Sequence, residues 1–114
     1  MIIEKLWGYE KILVNSDLYC GKILHIEKDK KGSFHYHKIK DETFYLLKGK
    51  VLINYSYTNK FFTNSKVLEE GDSLHIPPGL RHQIVGIEES DIIEISTYDD
   101  CDDSYRVISS EEFL

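Results

Sequence analysis

With 114 residues, 41% of them hydrophobic, and a formal charge of −6, the chain is sized for a single domain with one core. The acidic balance excludes nucleic acid or an anionic membrane as the main partner, because both need a basic face. No apolar run reaches the length of a signal peptide or a membrane span, so the expectation is a cytoplasmic protein that meets a small molecule and no membrane.

At the N-terminus, two short apolar stretches surround Trp7-Gly8-Tyr9-Glu10, and KILVN leaves that turn as a strand. Leu18 to Ile26 is a β-rich run that can bend at Gly21. Asp29 to Gly32 is a charged turn. Cys20 and Cys101 lie far apart and read as free thiols; aspartates on both sides of Cys101 disfavour its thiolate, so it is no nucleophile.

The next stretch, Gly32 to Gly49, carries the chemistry. His35 and His37 stand two apart, so on a strand their side chains share a face roughly 7 Å apart. Glu42 opens the following strand, whose parity puts Glu42, Phe44 and Leu46 on one interior face. After Gly49, VLINYSY places Val51, Ile53, Tyr55 and Tyr57 on one side and Leu52, Asn54 and Ser56 on the other. Thr58-Asn59-Lys60 reads as a hairpin connection, with KFF beginning the return. Lys66–Glu69, Ser73–Ile76, His82–Ile87 and Asp91–Thr97 complete a series of short strands, the middle two divided by the turn Pro77-Pro78-Gly79. No helical period precedes residue 100, which predicts an all-β barrel or sandwich. Only the tail ISSEEFL reads as a short helix, capped by Ser109 or Ser110.

Three imidazoles (His35, His37, His82) and the Glu42 carboxylate form a donor set for one divalent transition metal: zinc, manganese, iron, nickel or cobalt. An isolated histidine is more often structural, and only the joint spacing lifts these above that reading. His75 lies two residues before Pro77 and is a candidate proton carrier behind the ligands, with a surface role as the ordinary alternative. Tyr45, Tyr55 and Tyr57 are available hydrogen-bonding groups. In a chain whose bases are otherwise lysine, Arg81 and Arg106 stand out. Arg81, beside His82, can clamp a phosphate or carboxylate or form a rim ion pair.

Both site stretches resemble the cupin superfamily. Its first motif, G-x5-H-x-H-x3or4-E-x6-G, is met by His35, His37, Glu42 and Gly49, with Asp29 at the position of the leading glycine. The second, G-x5-P-x-G-x2-H-x3-N, is met by Gly71, Pro77, Gly79 and His82, with Gly86 in place of the final Asn. The resemblance implies one cupin domain over 1–114: a double-stranded β-helix, or jelly-roll, barrel ligating its metal through His35, His37, Glu42 and His82. It also implies a homodimer, in which Trp7 and Tyr9 either pair across a two-fold axis or cap their own barrel.

The ends are similar to the isomerase domain of type II phosphomannose isomerases: Leu6-Trp7-Gly8-Tyr9 at the start, and an acidic segment ending in Arg106. That likeness implies a substrate-binding role for Arg106. The family places an arginine in a shorter gap before the Glu; here Lys38 or Lys40 can supply that charge. The leading expectation is a sugar or sugar-phosphate isomerase or epimerase acting on a small molecule such as a phosphosugar, with the general base unassigned. A non-catalytic metal- or ligand-binding module and an iron-dependent dioxygenase are the alternatives.

Overall fold

The computed structural model describes residues 1–59 and 64–108. The strands are β1 (Ile2–Lys5), β2 (Gly8–Asn15), β3 (Cys20–Ile26), β4 (Phe34–Tyr36), β5 (Glu42–Lys48), β6 (Lys50–Ser56), β7 (Asn64–Glu69), β8 (Ser73–Ile76), β9 (Arg81–Gly86), β10 (Ser90–Ser96) and β11 (Tyr105–Ile108). They form a six-stranded sheet, β1-β2-β3-β10-β5-β8, and a five-stranded sheet, β11-β4-β9-β6-β7. All pairings are antiparallel, and the two sheets enclose one core in a jelly-roll arrangement. Among the described residues there is no helix, and none long and apolar enough to cross a membrane. The expected C-terminal helix from Ser109 or Ser110 lies outside the described residues, as does the KFF return; Ile108 is strand.

Alternation along each strand sorts the interior into two halves. Leu24, Ile26, Leu46, Val51, Ile53, Leu68 and Ile92 pack into an apolar half. One strand row further on, the interior turns charged: Lys22 stands opposite Glu94 and Glu94 opposite Phe44, while Glu42 pairs with Ser96. On β6 the alternation fails at its end: Val51 and Ile53 are buried as their parity requires, but Asn54 and Ser56 are buried too and Tyr57 is exposed. The cause is a polar contact on the other face, where Asn54 Nδ2 donates to Gln83 Oε1 at 3.2 Å and Gln83 Nε2 to Gly32 O at 3.0 Å.

Both motif departures have backbone explanations. Asp29 adopts φ 66°, the left-handed conformation that a glycine supplies elsewhere and that aspartate tolerates better than most residues. At Gly86, a Cβ would sit 2.4 Å from Glu27 O, so the position has no room for an asparagine side chain.

Candidate metal centre

His35, His37 and His82 converge, each offering one ring nitrogen, with these atoms within 4.8 Å of one another. Two come from paired strands, since His35 on β4 is directly opposite His82 on β9; His37 follows β4 at the start of the loop to β5. Each ring is fixed through Nδ1. His82 Nδ1 donates to Leu80 O at 2.9 Å, His37 Nδ1 to Asp103 O at 2.7 Å, and His35 Nδ1 faces Ser33 O at 3.1 Å. A proton held on Nδ1 leaves the Nε2 lone pair for a cation.

Burial keeps all three imidazoles neutral. His82 is pushed down to about 3 by burial. His35 is lowered well below the usual range by burial and then by His82 and His37, and His37 is lowered by burial.

Glu42 approaches from the other sheet. Its Oε2 lies 3.4 Å from both His37 Nε2 and His82 Nε2 and is a buried side-chain oxygen without a hydrogen-bond partner among the described residues. Burial, and then Glu94, hold its carboxyl well above the ordinary carboxylate range. That direction is what a carboxyl without a cation shows; a cation between Oε2 and the imidazole lone pairs would favour the carboxylate and satisfy an oxygen that is otherwise costly to bury. The nitrogen-rich set with one oxygen fits a borderline divalent transition metal.

Sequence reasoning missed the charged wall behind Glu42. Lys40 Nζ binds Glu94 Oε2 at 2.7 Å and Asp99 Oδ1 at 2.8 Å, and approaches Glu42 Oε1 at 3.7 Å. Lys22 Nζ reaches Asp99 Oδ2 at 2.6 Å and Glu10 Oε1 at 3.0 Å. Its signal lay in strand parity: Lys22 shares the inward face with Leu24, and Glu94 with Ile92. These groups line a cavity of about 860 Å³ that also includes Trp7, Phe44, Ile84 and Arg106.

Several expected substrate contacts are placed elsewhere. Arg81 is adjacent to inward-facing His82 and therefore points outward, stacked 3.7 Å above the Tyr36 ring and bonded to Gly79 O at 2.8 Å and Asn59 Oδ1 at 3.1 Å. It does not line the cavity. Lys38 is exposed over the Tyr105 ring, also outside the cavity. Lys40 is inside but saturated by carboxylates, so it holds Glu42 and is not a free clamp. His75 pairs with Thr43 on the outer face, where its Nε2 meets Asp41 Oδ1 at 2.5 Å; this is the surface alternative. Tyr55 stands opposite His82 in register, but its ring lines a separate pocket with Leu74, Pro77 and Leu80.

Arg106 differs from these. It is directly opposite His35 on β11, lines the cavity, and among the described residues has no hydrogen-bond or ion-pair partner. Trp7 lines the same cavity and packs on the core, capping its own barrel, while Tyr9 stacks on His25 at 4.8 Å.

A family model described as "Cupin domain" matches residues 22–96. No curated protein matches the chain. Among solved structures, KdgF from Halomonas sp. is similar at 19% identity and TM-score 0.72, over 82% of this chain and 81% of that one. An RmlC-like cupin from Shewanella frigidimarina is 22% identical with TM-score 0.74, over 90% and 86%. CapF from Staphylococcus aureus, described as a capsular polysaccharide assembling protein, is 18% identical with TM-score 0.77; 92% of this chain spans 31% of CapF.

Proposed function

The chain belongs to the Cupin domain family, whose model covers well over half of it, and from that premise we propose a metal-dependent sugar or sugar-phosphate isomerase or epimerase. The carrying observation is the orphaned Glu42 Oε2 facing the Nε2 atoms of His37 and His82 in a cavity far larger than an ion needs. His35, His37, His82 and Glu42 would hold one zinc, manganese, iron, nickel or cobalt ion. When bound, the ion supplies positive charge to polarise a carbonyl and its neighbouring hydroxyl.

The chain's own residues do the rest. Arg106, opposite His35 and without an ion-pair partner among the described residues, binds the phosphate or carboxylate of the substrate. Lys40 holds Glu42 Oε1 toward the charged wall, which leaves Oε2 directed at the imidazoles. Phe44, Ile84 and Trp7 keep water from the reacting carbons. The setting is cytoplasmic. The protein acts as a homodimer, supported by an apolar patch on the outer face of the six-stranded sheet, bordered by the charged Lys11, His25 and Asp91: Ile23, Ile93 and Tyr45 form one cross-strand row, flanked by Ile95, Leu13 and Leu47, which are 60%, 56% and 51% exposed.

A second reading, a ligand-binding module without chemistry, is favoured by one observation. Glu94 and Asp99, the carboxylates beside Glu42 in the cavity, are each tied to Lys40, which leaves neither free as a base.

Elemental analysis of protein purified without chelator, beside His35→Ala and His82→Ala, is the first test. Stoichiometric metal lost in both variants is expected, followed by turnover of phosphosugars or free sugars by the loaded protein. Tight binding without turnover would support the module, and oxygen consumption with an iron-loaded sample the dioxygenase. No metal after reloading would defeat every metal-dependent reading.

A further inference from the structure

The loop between His37 and Glu42 must set the separation of two groups that approach the same point from different sheets. Lys38, Ile39 and Lys40 turn their backbone N–H groups to a single carboxylate: Asp103 accepts from Lys38 N at 2.9 Å through Oδ1, and from Ile39 N at 3.1 Å and Lys40 N at 3.0 Å through Oδ2. The carbonyl oxygen of the same residue accepts His37 Nδ1–H at 2.7 Å. Asp103 is itself buried, 6% exposed, and held in a turn by its N–H to Asp100 O at 2.9 Å. Burial opposes its ionisation, but the three backbone donors outweigh it and keep the carboxyl below its usual range.

We infer that Asp103 is a positioning residue of the metal centre: its carboxylate clamps the His37–Glu42 loop while its carbonyl orients the His37 ring. The inference rests on the metal-binding reading of the site. It assigns a function to the acidic run after β10, of which the neighbouring Asp100 and Asp102 are exposed. Charge-assisted hydrogen bonds of this kind are roughly twice as strong as neutral ones, and three on one loop fix its backbone. The side chain touches no ligand atom, so it acts only through His37 and the loop that carries Glu42. Groups behind a metal ligand typically change metal affinity about 10–100-fold when altered.

The test uses cobalt(II) as probe, with its dissociation constant measured by chelator competition and its visible absorption recorded, on wild type, Asp103→Asn, Asp103→Ser and Asp102→Asn. The expected result is cobalt binding weakened about 10–100-fold, with an altered spectrum, in both Asp103 variants, and wild-type behaviour in Asp102→Asn. Asp103→Ser keeps one acceptor and carries the test if Asp103→Asn does not fold. Wild-type affinity and spectrum in a folded Asp103 variant, even one with a lower melting temperature, would make the residue merely structural and overturn the inference. If wild type itself takes up no cobalt, the metal reading falls and the inference with it.

Discussion

Lys22 and Lys40 share one aspartate, each ammonium on its own oxygen of Asp99, at 2.6 and 2.8 Å. Burial works against both charges, and Glu94, with Asp99, more than restores them. Asp99 is in turn held down at about 2: the two lysines outweigh its burial. Removing one partner from such a buried network strands the others, at a cost of roughly 3–5 kcal/mol. Lys40→Met should therefore lower unfolding free energy by about that amount in urea titration. Adding Glu94→Gln should cost less than the sum of the two single changes, because the second substitution removes a charge already left alone.

Asp29 occupies the left-handed region at φ 66°. Asp29→Gly should match wild type or exceed it by up to about 1 kcal/mol, relief of backbone strain being offset by greater freedom in the unfolded chain. Asp29→Val should lose about 1–2 kcal/mol, since a β-branched residue is strained there. Thermal melts of the two variants, changing in opposite directions or at least separating by this amount, check the assignment.

Strand parity was the part that could be read in advance. The parity of Glu42, Phe44 and Leu46, all buried, and the bounds of β5 follow from alternation alone. The outward direction of Arg81 also follows from parity, because it is adjacent to inward-facing His82 on β9. Burial of Lys40 was not legible, because it depends on Glu94 and Asp99, more than fifty positions away in the chain. Likewise, nothing local to Asp103 announces that its carboxylate grips residues 38–40; the acidic run reads as a solvated turn until β4 and β11 are seen side by side.

The apolar row Ile23, Ile93 and Tyr45 on the outer face of the six-stranded sheet predicts self-association. Ile95→Glu should convert the dimer to a monomer in light scattering coupled to size exclusion, with the fold retained by circular dichroism. Val67→Glu, at a 47% exposed position on the five-stranded sheet, should leave the mass unchanged. A monomeric wild type at tens of micromolar would remove the dimer from the reading.

His25 offers a pH dependence remote from the metal ligands. Its Nδ1 lies 2.7 Å from Asp91 Oδ1, its Nε2 2.7 Å from Glu89 Oε2, and its ring stacks on Tyr9. Burial lowers its proton affinity, but the two carboxylates outweigh it and raise the folded value above the ordinary imidazole range. The unfolded chain thus binds fewer protons than the folded one in the interval between the two values. The stabilising contribution should be full below about pH 6.5 and lost as pH rises through the elevated folded value. His25→Gln should flatten that part of the stability profile, and an unchanged profile would refute the ion pair in solution.

β4, which carries His35, is three residues long and lies between β9 and β11. His37, just beyond it, is oriented by a carbonyl 66 residues later in the chain. During synthesis the first two ligands therefore emerge long before the strands and the turn that hold them. Until residues near 108 have left the ribosome, the chain has the histidines but lacks the strand and the carbonyl that hold His35 and His37 in their folded places.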